Sequence, residues 1–231
     1  DTYLFEANGR YDGTSRFPKN DRFGFFPSFS VGWRLSNENF MSWSNNFIDN
    51  LKIRASYGTL GNQLLGNDFY PYIATMNSGL SSFMMGDGRT SFVSPPGLVS
   101  PALTWETVQT RNIGLDFTMF NTRLDASLDV YTRDTKDMLM RVTYPSILGT
   151  RGPNQNAADL RTSGWELSMN WRDKIGQDWN YSIGLALADW TSEITRFINP
   201  DGLIGYGDNN IYYEGQQIGE IWGYETVGIF Q

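Results

Sequence analysis

The 231-residue sequence has no cysteine and no histidine. Without cysteine there is no disulfide framework and no thiolate metal site. Without either residue, neither a Ser–His–Asp nor a Cys–His apparatus can be assembled within the segment, and His-based zinc motifs are excluded too. Long apolar runs are also missing. No stretch approaches the roughly 18 consecutive apolar residues of a membrane helix. Lys and Arg form no cluster and the net charge is −7, so nucleic acid is not an expected partner. The chain opens at Asp1 with neither an initiator Met nor a basic–apolar leader, so any targeting segment is expected to lie outside it.

What the sequence does hold is aromatic residues and glycine. Aromatics make up 15% of the chain, as 8 Trp, 12 Tyr and 15 Phe, beside 24 Gly. The mean hydropathy is nevertheless negative. A transmembrane barrel hides inside such an average, because its strands alternate lipid-facing and lumen-facing residues. A soluble β-sandwich has the same composition, so composition leaves both open.

Two-residue alternation recurs along the chain, and helical periodicity is scarce. From Phe25 to Ser36 one face carries Phe25, Pro27, Phe29, Val31, Trp33 and Leu35; the other carries Phe26, Ser28, Ser30, Gly32, Arg34 and Ser36. Pro27 cannot donate to a ladder and predicts a bulge or local break. Six further strands read the same way, with apolar sets beginning at Tyr3, Leu51, Ile113, Leu124, Trp165 and Trp179. Each is close to the ~9–11 residues with which a tilted strand crosses a bilayer.

The later connections alternate in length, while the links after the first two strands are similar and carry no signal. Numbering these seven strands in order, the links after the fourth and sixth are tight, near Asn121–Thr122 and Asp173–Asp178. Those after the third and fifth are longer, the former a structureless loop from about Leu60 to Leu103. Outer-membrane barrels have this parity, with short turns inside and long loops outside. Trp33, Phe120, Trp171 and Trp179 fall at strand ends beside the even-numbered links, where an interfacial aromatic girdle would lie; ordinary sandwich core is the alternative. The lipid face would carry Phe29, Val31, Leu115, Phe117, Leu128, Val130, Leu167 and Leu185. Seven strands with two bare edges are not a finished barrel, so the chain is expected to be a segment of something longer.

Several motifs resemble SusC/RagA-type TonB-dependent transporters. They are Asn8-Gly-Arg-Tyr-Asp-Gly-Thr-Ser-Arg-Phe17, Phe25-Phe-Pro-Ser-Phe-Ser-Val-Gly-Trp-Arg-Leu35 and Leu51-Lys-Ile-Arg-Ala-Ser-Tyr-Gly-Thr-Leu-Gly-Asn62. Leu103-Thr-Trp-Glu-Thr107, Asn112-Ile-Gly-Leu-Asp116, Asp129-Val-Tyr131, Lys136-Asp-Met-Leu139, Thr162-Ser-Gly-Trp-Glu166 and the run from Glu214 to Tyr224 follow in order. The resemblance implies an all-β fold, an antiparallel transmembrane β-barrel segment of about seven strands from a parent 22-stranded plugged barrel. Residues 1–231 would belong to one barrel domain, with plug, TonB box and barrel C-terminus outside it. It also implies a SusD-like surface lipoprotein as lid, the TonB complex as energy source, and a glycan (oligosaccharide) or peptide as cargo, in the outer membrane of a bacterium.

The residues themselves suggest no catalysis, and no cofactor is expected. Asp125 and Asp129 read as solvated residues of the polar face rather than an acid–base pair. Gly86-Asp-Gly-Arg89 and Asp201-Gly202 with Asp208-Asn-Asn210 have turn chemistry and could offer oxygens to Ca²⁺, without EF-hand spacing. No phosphate-binding P-loop is present. Tyr70, Tyr72, Phe83, Tyr206, Tyr212 and Tyr213 are candidate substrate contacts in the long loops; packing of the loops or of the lid is the alternative. Glu6, Arg10, Arg54 and Arg172 are expected to face the lumen, lining a path or anchoring a plug. Active import is the leading expectation. A passive porin or structural outer-membrane barrel, or a soluble carbohydrate-binding β-sandwich, are the alternatives.

Overall fold

The computed structural model describes residues 1–64, 66, 69–142, 144, 146–150, 152–198, 212–221 and 228. Among the described residues nine strands follow one another: β1 (Tyr3–Gly13), β2 (Phe23–Arg34), β3 (Ile48–Asn62), β4 (Ser78–Met85), β5 (Gly88–Val93), β6 (Glu106–Met119), β7 (Leu124–Arg141), β8 (Asn154–Ile175) and β9 (Trp179–Phe197). Seven of them form one sheet in the order β1-β2-β3-β6-β7-β8-β9, each antiparallel to its neighbour. Apart from the β4–β5 hairpin, chain order and sheet order coincide. Such an up-and-down meander is what short turns between successive strands produce. The other sheet among the described residues is the two-stranded β4–β5 hairpin, not the second multi-stranded layer that a sandwich has.

Strand lengths differ from the expectation. β7, β8 and β9 run to 18, 22 and 19 residues, about twice a bilayer crossing. Their loop-side extensions escape detection in the sequence because polar residues dominate there and the few apolar ones, such as Met138-Leu139-Met140, keep no two-residue period. The span between Leu60 and Leu103 is not structureless either. It contains the β4–β5 hairpin, closed by Gly86-Asp87, with Gly86 at a φ of +66°. That is the position where a II′-type hairpin turn calls for glycine.

Pro27 keeps its place in the β1–β2 ladder, opposite Gly9, while the β2–β3 ladder stops one residue earlier at Ser28 and Gly58. Its missing N–H therefore terminates pairing on the β3 side only, and the Thr59 hydroxyl donates to the Pro27 carbonyl instead at 3.0 Å.

The turn side is compact. Phe120, Asn121 and Thr122 all have positive φ, near 60°, and reverse the chain between β6 and β7. Two 3₁₀ turns, Leu35–Asn37 and Asn39–Ser44, join β2 to β3. At the opposite end a small core forms under the loops: Phe17, Phe26, Leu103 and Trp105 are buried together, with Leu139 packed against them. Phe17 and Phe26 each meet the Trp105 ring edge-on at 5.4 Å. A Cβ at Gly24 would stand 2.6 Å from the Phe26 ring, and one at Gly61 would overlap it. Both glycines leave room for that ring.

Candidate functional site: the two faces of a barrel wall

The register turns alternation on seven separate strands into two continuous surfaces. One row across the sheet reads Tyr3, Trp33, Ile53, Leu115, Leu128, Leu167, Leu187, apolar on every strand. The next row on the same face reads Phe5, Val31, Ala55, Ile113, Val130, Trp165 and then Asp189. Toward the turns lie Leu51, Phe117, Ala126, Met169 and Leu185. Phe29, Val31, Leu115, Phe117, Leu128, Val130, Leu167 and Leu185 thus share one face. It is open: Phe5 is 73% exposed and Ile113 65%. An apolar patch spanning seven strands is far larger than a monomer in water carries.

The apolar band does not run square to the strands. On β1 it extends from Tyr3 to Tyr11, centred at Ala7; on β9 it extends from Trp179 to Leu187, centred at Ile183. Following the register across from Ala7 arrives at Thr191, eight residues from Ile183, after six strand-to-strand steps. With a rise of ~3.3 Å and a strand spacing of ~4.8 Å this slide corresponds to a tilt of about 40°. Membrane barrels tilt by ~35–45°. A flat apolar slab crossed by tilted strands leaves this oblique band; packing against a second sheet would not demand it.

The polar face holds Glu6, Arg10, Arg54 and Arg172 in register with it. Arg54 is its hub. Its guanidinium contacts Asp116 at 3.2 Å and Asp129 at 2.5 Å, while Lys52 reaches Asp116 at 2.8 Å. Gly114 lies between Arg54 and Asp129 in the register, and a Cβ there would stand 2.5 Å from Cζ of Arg54. The glycine is what lets one arginine cross a whole strand. Arg10 pairs locally with Asp12 at 2.7 Å, and Arg172 lies 4.0 Å from Asp125. Asp129 is thus an ion-pair partner, with its second oxygen buried and unpaired among the described residues.

Aromatics gather at the turn side. Trp33 stacks on Tyr3 and meets Phe40 edge-on. Trp171 lies 6.1 Å from Phe120 and its indole N–H donates to the Tyr181 hydroxyl; Trp179 is exposed. The Glu38 carboxylate accepts from the Tyr3 hydroxyl at 2.6 Å and from the Trp33 indole at 3.0 Å. The Tyr3 hydrogen bond, then that of Trp33, holds the Glu38 carboxyl below its ordinary value.

The loop aromatics scatter over different partners. Tyr70 is exposed, and Tyr72 accepts from Arg22 at 3.4 Å. Phe83 stands out on β4, 77% exposed. Tyr212 packs against Phe197, and the Tyr213 hydroxyl donates to Glu220. Tyr206 lies outside the described residues, as does the segment Asp201–Asn210. Sequence reasoning missed Gly114, Asp116, Lys52 and Glu38. The first two stand in the Asn112-Ile-Gly-Leu-Asp116 motif, but only the register reveals what they face.

A single-layered meander with one apolar face, one charged face and an oblique band is the wall of an outer-membrane β-barrel. Residues 1–221 match the family described as TonB dependent receptor-like, beta-barrel, and the chain belongs to that family. It is 34% identical over 215 residues to the TonB-dependent receptor SusC of Bacteroides thetaiotaomicron, covering 91% of this chain and 20% of that protein. It is 32% identical over 237 residues to the TonB-dependent receptor P3 of Formosa agariphila, covering 99% of this chain and 23% of the relative. Among solved structures, the RagAB peptide importer in its closed-closed state superposes with a TM-score of 0.81 at 27% identity, over 93% of this chain and 23% of that one. The chain therefore spans between a fifth and a quarter of the relatives it matches.

Proposed function

We propose that this chain is a stretch of barrel wall in an active outer-membrane importer of glycans or peptides, working with a SusD-like lipoprotein and the TonB complex. The observation that carries the reading is the oblique apolar band backed by a charged face. In lipid the strands satisfy one another's backbone groups, the band meets hydrocarbon, and the Arg54 face lines the lumen. Trp33, Phe120, Trp171 and Trp179 sit at the inner interface. The loops carrying Tyr70, Tyr72, Phe83, Tyr212 and Tyr213 reach outward, where cargo and lid would meet them. No reaction is catalysed by the segment. The TonB-dependent receptor SusC and the RagAB peptide importer support the class of activity; the importer's peptide cargo supports that class of substrate, and glycan rests on the sequence resemblance.

The test is fractionation of the full-length parent, made with and without its neighbouring lipoprotein, followed by detergent co-purification and uptake of labelled oligosaccharides and peptides. Recovery from the outer membrane as a complex with TonB-dependent uptake is expected. Uptake that persists without TonB would make it a passive porin, and recovery of a soluble lone protein would end the barrel reading.

A further inference from the structure

From the apolar face, and resting on its proposed contact with lipid, we infer that the wall carries a specific site for the phosphorylated glycolipid of the outer leaflet. The site is a shallow recess of about 470 Å³ on that face. Its floor is Ala55, the smallest side chain of its row, between Val31 and Ile113. Phe29 and Tyr57 flank it one row nearer the loops, and Arg111 closes that rim, paired across the ladder with Tyr57. The recess is apolar where an acyl chain would lie and cationic where a phosphate would lie.

Two features make Arg111 available. It is 58% exposed, and its contact with Asp134 is long, at 3.5 Å. The same carboxylate, itself only 8% exposed, is held by Arg161 at 2.6 Å. One buried acid between two guanidiniums leaves Arg111 the less satisfied of the pair. Its height fits as well. On β6 the apolar side chains of this face end at Ile113, so Arg111 is the first polar residue on the side of the long links. Long links face outward in outer-membrane barrels. A lipid seated there has its chains over Ala55 and its phosphate on the guanidinium, a charge-assisted contact suited to Arg.

The experiment uses the full-length parent extracted from its outer membrane in mild detergent. Lipid A phosphate and glycerophospholipid are measured per barrel by mass spectrometry, with heat-modifiable gel mobility reporting the folded barrel. Arg111→Gln is expected to lower bound lipid A about tenfold, the effect of losing one charge-assisted hydrogen bond. Ala55→Phe, which fills the recess, should do the same, and Arg111→Lys should retain most of it. Unchanged lipid A in folded Arg111→Gln would overturn the site, as would phospholipid in its place. So would a photo-crosslinker at position 113 that captures a second barrel instead of lipid. Crosslinkers at positions 128 and 167 separate the two levels of failure. No lipid labelling there would refute the barrel-wall reading itself; labelling there, with no response at Arg111, would refute this site alone.

Discussion

Arg54 on β3 and Asp129 on β7 are joined at 2.5 Å although a strand runs between them, and the gap is bridged over Gly114. Any side chain at position 114 must push the guanidinium away, leaving a carboxylate whose other oxygen is already buried and unpaired among the described residues. Gly114→Ala is expected to destabilise the parent barrel by about 1 kcal/mol. That is less than a hydrogen bond to a charged group usually contributes, because Arg54 keeps 34% exposure and is partly screened. The effect is read as a shift in the urea midpoint of heat-modifiable mobility. Asp129→Asn added to Gly114→Ala should cost much less than Asp129→Asn alone, since the pair is already broken. Full additivity would show that the bridge contributes nothing.

The row through Leu115, Leu128, Leu167 and Leu187 places four leucines side by side on neighbouring strands. Leu128→Arg or Leu167→Arg sets a charge in the middle of the band, expected to cost about 2–4 kcal/mol in lipid. Ser127→Arg and Ser168→Arg, one residue along on the opposite face, should be mild. The measurement is the folded fraction of the parent in outer-membrane extracts. Equal loss on both faces would contradict the two surfaces.

Alternation made the seven wall strands legible before any coordinates, because one apolar and one polar face leave a two-residue period. The same logic explains what stayed hidden. Beyond Val130 and Trp165 polar residues dominate and the apolar ones come in runs, Met138-Leu139-Met140 on β7 and Ala157-Ala158 on β8, so their long ends have no two-residue period to read. Exposed Leu80, Phe83, Met84 and Met85 on β4 mix apolar residues with no polar partner face, so the hairpin reads as loop. Of the polar face, Arg54 was visible beside Lys52 as a charge alternating with apolar residues in Leu51-Lys-Ile-Arg54. Its partners stand 62 and 75 residues away, a separation only pairing register closes.

Phe26 ties the loop end to the wall, buried against Trp105 in the space that Gly24 and Gly61 leave free. Phe26→Ala removes an aromatic from a closed cluster, a change that typically costs about 3–5 kcal/mol. Few strands converge there, so the expected result is local: the link between Asn62 and Glu106 becomes protease-sensitive while the wall stays folded. Gly61→Val should act alike by expelling the ring. Wild-type resistance in both variants would show that the cluster does not hold the loops.

At the turn side Glu38 gathers the Tyr3 hydroxyl and the Trp33 indole, tying the start of β1 to the β2–β3 connection. Those donors favour the ionised carboxylate, so its folded value lies below the ordinary 4.5. A depressed carboxyl contributes stability that is fully present above the unfolded value and is lost as pH falls through the folded one. Wild type and Glu38→Gln should therefore differ by a constant margin from neutral pH down to about pH 5. Below the ordinary carboxyl range the margin should close, as the wild-type carboxylate takes up its proton. The check is the difference in thermal midpoint between the two parent proteins in detergent, followed from pH 7 to pH 3. A margin that instead widened on acidification would mean that the neutral acid is the better partner for Tyr3 and Trp33, the reverse of the geometry seen here.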